Sequence, residues 1–253
     1  MQDGSLIPRF GRARRDATLA VLEGFHPLKH ALRFDADVVE VVCRDRQDLD
    51  GLAERLAPDV RARIDALARE IAPSAFDKLA PLAPATGVMS LARRPHVDLA
   101  AALADPREAP LIVLENPRDL GNLGACVRVA AAADAAGVIA TGSHDPWHPD
   151  ALRGAAGLHF ALPVARVTDV AALADDGREL VALDPEGEEL DPTRLAPRAL
   201  LAFGSERDGL SDELLARAQR RVRVPMREGV SSLNLATSVA AVLFAWRLAG
   251  RAG

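Results

Sequence analysis

Arg128 stands inside the run "LGACVRVAAAADAAG", six residues after Asn122 in "ENPRDLGNLGACVRVA" (115–130). A guanidinium in a packed, alanine-rich helix is costly to bury unpaired. A phosphate or a carboxylate would satisfy it. Glu206 closes the apolar run in "LLAFGSERDGLSDELL" (200–215) and is a candidate to pair with Arg128 or to hold a substrate hydroxyl. Ser211 is placed to cap the helix that follows. The third cluster is "VPMREGVSSLNLATSVAAVLFAW" (224–246). Gly229 there permits close backbone approach, Ser231 or Ser232 can cap the last helix, and Asn234 can hydrogen-bond outward into a cleft. One cap is all a helix start needs. The surplus of polar side chains points to a ligand site.

Each cluster sits where a strand gives way to a helix. From Pro110 onward, "PLIVLEN", "GVIATGS", "HFALPVARV", "ELVALDPEG", "ALLAFGSE" and "RVRVPM" read as strands. Between them, the run 123–137 ending at Gly137, "DALRGAAG", "DVAALADDG", "SDELLARAQ" and the last apolar run read as helices. Strands alternating with helices predict a mainly parallel sheet with helices on both faces, which binds ligands at the carboxyl ends of its strands. The first hundred residues alternate likewise, with "TLAVLEG" and "VVEVVCRD" as strands and "HPLKHALRF" and "DLDGLAERLA" as helices. The stretch 93–110 mixes prolines and charges around a short helix and reads as a linker. Neither G-x-G-x-x-G nor a Walker lysine follows any strand, which argues against an ordinary nucleotide-binding α/β enzyme.

Bulk properties narrow the class. With 253 residues, 49% hydrophobic and 26% charged, the chain has material for two modest domains with proper cores. No run approaches the roughly 18 uncharged apolar residues of a membrane span, and no secretory signal is evident, so a cytoplasmic location is expected. The net charge of −5 argues against nucleic-acid binding by bulk charge, but basic residues cluster at Arg9, Arg12, Arg14 and Arg15 and again from Arg217 to Arg227. Cys43 and Cys126 lie too far apart for a disulfide framework or a zinc site. His144 and His148 flank Asp145 in a proline-containing loop with no third ligand, so no metal is expected. His26 and His30 share a helix face, where solvated or capping histidines are the usual case. Cys126 reads as a small packing residue whose thiol pKa Arg128 could lower.

The three clusters, in this order, resemble the motifs of the SpoU/TrmH-type RNA 2′-O-ribose methyltransferases of the SPOUT class. Asn122-x-Gly124-Ala125-x-x-Arg128 is similar to the first motif, and "FGSERDGLS" to the second through Gly204, Glu206, Gly209 and Leu210. "VPMREGVSSLNLATSVAAVLF" is similar to the third through Pro225, Met226, Gly229, Ser232, Leu233 and Asn234. The resemblance implies a methyltransferase domain over 111–253 whose C-terminal segment is threaded into a trefoil knot, an exception to the rule against knots, and a homodimer. It implies S-adenosylmethionine held around Gly204, Val224, Met226 and Leu233. It also implies methyl transfer to a ribose 2′-hydroxyl by a site of Arg128, Asn122, Glu206, Ser232 and Asn234, with Arg128 as base or phosphate clamp.

Residues 1–97, with the linker at 98–110, resemble the small ribosomal-protein-like RNA-binding domain of many relatives through "VLEGFHPLKHALRF". Arg9, Arg12, Arg14 and Arg15 would then approach RNA phosphates, which position a substrate without reading its sequence. This architecture favours ribosomal RNA over transfer RNA. A transfer-RNA enzyme, or a non-catalytic RNA-binding or ribosome-assembly factor of the same fold, are the alternatives.

Overall fold

The computed structural model describes residues 5–173 and 177–250. They fall into two compact units, one of residues up to 96 with 147–161 and one of the described residues of 97–146 and from 162 onward.

In the first unit, helix α1 (Leu6–Ala13) carries Leu6, Phe10 and Ala13 at i, i+4, i+7, so one face is apolar and buried. That face joins Val21 of β1 (Leu19–Glu23) in a core cluster. Gly24, at φ +108°, turns the chain into α2 (Phe25–Arg33), and the Phe25 N–H, orphaned at the helix start, donates to Thr86 Oγ1 at 3.0 Å. β2 (Val38–Cys43), α3 (Arg46–Leu56), α4 (Arg61–Leu67), β3 (Ala68–Glu70), α5 (Pro73–Phe76) and β4 (Val88–Arg93) follow. The strands form a mixed sheet in the order β1-β4-β2-β3. α1, β3 and β4 were not among the elements expected from sequence; α1 escaped because a proline and two arginines dilute its apolar spacing.

A carboxylate ties this unit together. Glu23 has a side chain only 4% exposed, between Arg14 at 2.6 Å and Arg153 at 2.5 Å. Arg153 lies on a helix, Pro149–Gly154, that comes from far along the chain. The same segment brings Gly157 so close to Pro27 that a Cβ would lie 2.6 Å from Pro27 Cα. His30 Nδ1 donates to Ala156 O at 2.7 Å, and burial holds the His30 pKa below its ordinary value.

The second unit opens with α6 (Leu99–Leu103), inside the stretch expected as a linker. Leu103 and Ala109 join the core. The buried Arg178 guanidinium fastens this stretch by donating to Leu103 O, Ala109 O and Asp105 O at 2.6, 3.1 and 3.0 Å. Then come β5 (Leu111–Leu114), α7 (Leu120–Ala132), β6 (Gly137–Ala140), α8 (the Pro149–Gly154 helix of the first unit) and β7 (Val164–Arg166). β8 (Leu180–Glu189), β9 (Leu200–Phe203), α9 (Asp212–Arg217), β10 (Arg220–Arg223) and α10 (Leu235–Ala249) complete it.

The sheet order is β10-β8-β9-β5-β6-β7 and every pairing is parallel. In β5, β6 and β9 all residues of both parities are buried, as expected for a parallel sheet covered on both faces. Three expectations need correction. The strand expected at 159–167 is a 3₁₀ turn, Leu158–Phe160, followed by only three strand residues. α7 stops at Ala132 rather than running to Gly137, since Asp134 takes φ +62°. The helix expected in "DVAALADDG" is a 3₁₀ turn, Val170–Ala172, and residues 174–176 lie outside the described residues. Among the described residues no helix is long and apolar enough to cross a membrane.

Replacing Glu23 by alanine leaves the Arg14 and Arg153 guanidiniums without their shared anion. Breaking a fully buried pair costs about 3–5 kcal/mol. Arg153 is half exposed, so a loss of about 2–3 kcal/mol is expected, read from the urea unfolding midpoint. An unchanged midpoint would show that the triad holds nothing together.

Candidate active site

Because the six strands run parallel, the loops after β5, β8, β9 and β10 leave one edge of the sheet. The turn after β9 is unusually tight. Ser205 and Gly209 pair across it, Ser205 N donating to Gly209 O at 3.1 Å and Gly209 N to Ser205 O at 3.2 Å. Gly204 is obligatory here, since a Cβ on it would lie 2.0 Å from the carbonyl carbon of Gly209. Gly209 itself takes φ +68°.

The side chains of Glu115, Arg118 and Asn122 fasten the 115–122 segment to the 204–211 segment. The Glu115 carboxylate accepts from Ser211 N at 2.7 Å and Ser211 Oγ at 2.6 Å. Arg118 pairs with Asp208 at 2.6 Å. Asn122 Nδ2 donates to Glu206 Oε1 at 2.9 Å.

Asn122 is also joined to the last helix. Asn234 is the N-cap of α10, its Oδ1 accepting from Ala236 N at 3.0 Å and Thr237 N at 3.3 Å, and its Nδ2 donates to Asn122 Oδ1 at 2.9 Å. The order of donors along this chain is forced. Backbone N–H groups can only donate, so Asn234 must offer them oxygen and turn its amide nitrogen to Asn122. Asn122 must then turn its own nitrogen to the Glu206 carboxylate. The expectation that Ser231 or Ser232 caps α10 is corrected: Asn234 does so, while Ser211 caps α9 as expected.

A cavity of about 350 Å³ opens at the same edge. Gly204, Val224, Met226 and Leu233 all line it, as do Glu206 and Ser232. Asn122, Asn234 and Arg128 stand outside its lining. The premise about Arg128 is overturned, because it lies on the exposed face of α7. Its guanidinium makes no hydrogen bond or ion pair among the described residues, and Glu206 is engaged with Asn122 and, at 3.4 Å, with the Arg118 N–H. Burial, with the Glu206 charge adding to it, pushes the Cys126 thiol pKa far up, so Arg128 does not activate it.

In the first unit the four N-terminal arginines divide into two pairs. Arg9 is bound to Glu40 at 2.8 Å and Arg14 to the buried Glu23. Arg12 and Arg15 are exposed, and their side chains make no hydrogen bond or ion pair among the described residues. His148 caps α8, accepting from Asp150 N at 3.2 Å. Among the described residues no three His, Cys, Asp or Glu side chains gather to hold a metal ion.

Residues 109–244 match the SpoU rRNA Methylase family. The chain belongs to this family. An uncharacterized tRNA/rRNA methyltransferase of Mycobacterium bovis is 34% identical over 206 residues, 77% of this chain and 68% of the relative. The 23S rRNA (adenosine(1067)-2′-O)-methyltransferase of Streptomyces azureus is 29% identical over 91% of this chain and 87% of its own. The SpoU methyltransferase AviRb of Streptomyces viridochromogenes, solved with AdoMet, has the same fold at TM-score 0.78, with 22% identity over 97% of this chain and 98% of that one.

Sequence reasoning missed Glu115, Arg118 and Asp208. They were legible only as charges flanking strand ends, since each acts on a partner about 90 residues away.

Two substitutions at Asn234 separate capping from the amide chain. Asn234→Ala loses both, with a stability loss of about 1 kcal/mol. Asn234→Asp keeps the cap but presents an acceptor to the Asn122 oxygen. Its melting temperature is expected near that of the wild type, with methyl transfer slowed about tenfold. Equal activity of the Asp variant would show that the donor order is irrelevant.

Proposed function

We propose that this SpoU-family methyltransferase transfers a methyl group from S-adenosylmethionine to a ribose 2′-hydroxyl of RNA, with ribosomal RNA as substrate. The observation that carries the reading is the cavity at the strand ends, walled by Gly204, Val224, Met226 and Leu233 and reached by Glu206, with Asn122 and Asn234 held in line behind Glu206. Its volume of about 350 Å³ lies in the roughly 300–1,000 Å³ range of small-molecule sites. The Streptomyces azureus relative is named for 2′-O-methylation of 23S rRNA, and AviRb was crystallised with AdoMet.

The cofactor supplies a methyl group already activated on a sulfonium. What remains for the chain is alignment and help in releasing the hydroxyl proton. Ser232 lines the cavity with its hydroxyl uncommitted among the described residues. Glu206, fixed as an acceptor by Asn122, is available to orient a ribose hydroxyl. Arg128 has its guanidinium free on the surface, suited to a bidentate grip on a backbone phosphate. An arginine pKa above roughly 12 disfavours the base role, so the clamp is the reading adopted.

The C-terminal segment is proposed to thread a trefoil knot. Support comes from the 204–211 loop, tied down at three points, and the 224–234 segment, both gathered at one edge of the sheet. The protein is proposed to act as a homodimer. α10 exposes Thr237, Ala241, Phe244 and Leu248 at i, i+4, i+7, i+11, with Phe244 39% and Leu248 65% exposed, an apolar stripe that suits a second copy. Residues 1–97 are proposed to bind RNA through Arg12 and Arg15. Transfer RNA remains the second reading, because the Mycobacterium bovis relative is named for both RNAs.

Labelled methyl transfer to purified rRNA and tRNA from a strain lacking the gene tests the reading. Label in a single 2′-O-methylated rRNA nucleotide is expected. Label in tRNA alone would keep the chemistry and reverse the substrate. In single-turnover kinetics Arg128→Lys is expected to slow transfer by about 10- to 100-fold, and near-normal turnover would remove the bidentate clamp. Replacing Arg12 and Arg15 together by alanine should lower the salt dependence of RNA binding by about one to two units of slope. An unchanged slope would exclude this pair from the RNA interface.

A further inference from the structure

β8 does not run unbroken beside its neighbours. Its ladder with β9 ends at the pair Leu183↔Phe203. Its ladder with β10 jumps from Ala182↔Arg221 to Glu188↔Val222. Residues 184–187 therefore stand out of the sheet as a bulge, a device that re-aims side chains near functional sites. Gly187 lets the chain return, since a Cβ there would lie 2.5 Å from the backbone carbon of Arg221. The bulge is built into the wall of the cavity through Leu183, Asp184 and Pro185.

Asp184 has a side chain only 12% exposed. Its Oδ1 accepts from Glu186 N at 2.9 Å, which closes the turn of the bulge. Among the described residues its Oδ2 has only Arg221 Nη1, at 3.8 Å, too far for a hydrogen bond. Turn formation accounts for one oxygen. The second oxygen belongs to a mostly buried carboxylate in the wall of the cavity, beside apolar neighbours such as Phe203, Val222 and Leu235, and is open to a donor from whatever occupies the cavity.

The register says where along a ligand that acceptor acts. Asp184 follows Leu183, and Gly204 follows Phe203, so the two stand side by side at the sheet edge. Glu206 is tied toward the β5 side through Asn122, whereas Asp184 lies toward β10. A ligand lying across the strand ends with its reacting group near Glu206 brings its remote part to Asp184.

We infer that Asp184 binds the ribose of the cofactor's adenosine, accepting hydrogen bonds from its 2′- and 3′-hydroxyls. This rests on the cofactor reading proposed above. A carboxylate has the lone pairs for two such bonds, and an acidic side chain at a strand end serves a ribose in the same way in dinucleotide-binding sheets. The residue sets affinity for the cofactor and takes no part in the transfer itself.

Titration calorimetry on the full chain tests it, using S-adenosylhomocysteine, 5′-methylthioadenosine and 2′-deoxy-5′-methylthioadenosine. The second ligand lacks the amino-acid moiety and the third also lacks the 2′-hydroxyl. Asp184→Asn keeps the oxygen that Glu186 N requires, and an unchanged melting temperature verifies the fold. The variant is expected to bind the first two ligands about 10- to 100-fold more weakly, by a common factor. In the wild type the 2′-deoxy ligand should bind more weakly than its parent, and in the variant this difference should vanish. Loss confined to S-adenosylhomocysteine would overturn the inference and assign Asp184 to the α-ammonium. Equal wild-type affinity for the two methylthioadenosines, or unchanged binding by the variant, would reduce Asp184 to a turn residue. A wild-type protein that binds none of the three would overturn the cofactor reading and this inference with it.

Discussion

A parallel sheet buried on both faces has no room for polar chemistry along its strands. β5, flanked by β6 and β9, contributes Leu111, Ile112, Val113 and Leu114 and nothing else. Every polar group the second unit uses is therefore expelled to the strand ends, and parallel pairing sends the carboxyl ends to one edge. This constraint explains why Glu115, Glu206, Asp184 and Met226 gather there though they come from four different loops. It also explains why the loops are tied to one another. A loop carrying Glu206 above an apolar strand can be fixed only by other loops, and Glu115, Arg118 and Asn122 do this from the β5 side.

The amide chain adds direction to that arrangement. The first turn of α10 has N–H groups in need of an acceptor, and Asn234 meets the need with its oxygen. From there each donor assignment follows, through Asn122 to Glu206, so a helix terminus decides which face a carboxylate's neighbour shows it. The polarity of the site is thus set by backbone, which no side-chain rotation can reverse.

Much of this was readable in the sequence, and the boundary of legibility has a physical shape. Apolar runs of strand length gave β5, β6, β8 and β9, because burial on both faces leaves an unmistakable pattern. Gly204 and Asn234 stood out because only glycine fits where a Cβ would lie 2.0 Å from the Gly209 carbonyl carbon, and few residue types offer both a cap acceptor and a spare donor. Local contrast failed where the partner was distant. The exposure of Arg128 depends on which face of α7 meets α10, and the pairing of Arg9 and Arg14 depends on Glu40 and Glu23, so four equivalent arginines in the sequence became two structural and two free. The bulge in β8 was unreadable, since "ELVALDPEG" has the composition of a strand that simply stops.

The passage of 147–161 through the first unit has a consequence for how this chain could be divided or exchanged. Glu23 closes on Arg153, and Pro27 rests against Gly157, so the spatial body of the N-terminal unit is not a contiguous stretch of gene. A fragment ending near residue 96 would lack the segment that supplies one of its two counter-ions and part of its packing. The two units are separate in compactness but interleaved in the polypeptide. Recombination at the obvious point would therefore move an incomplete body.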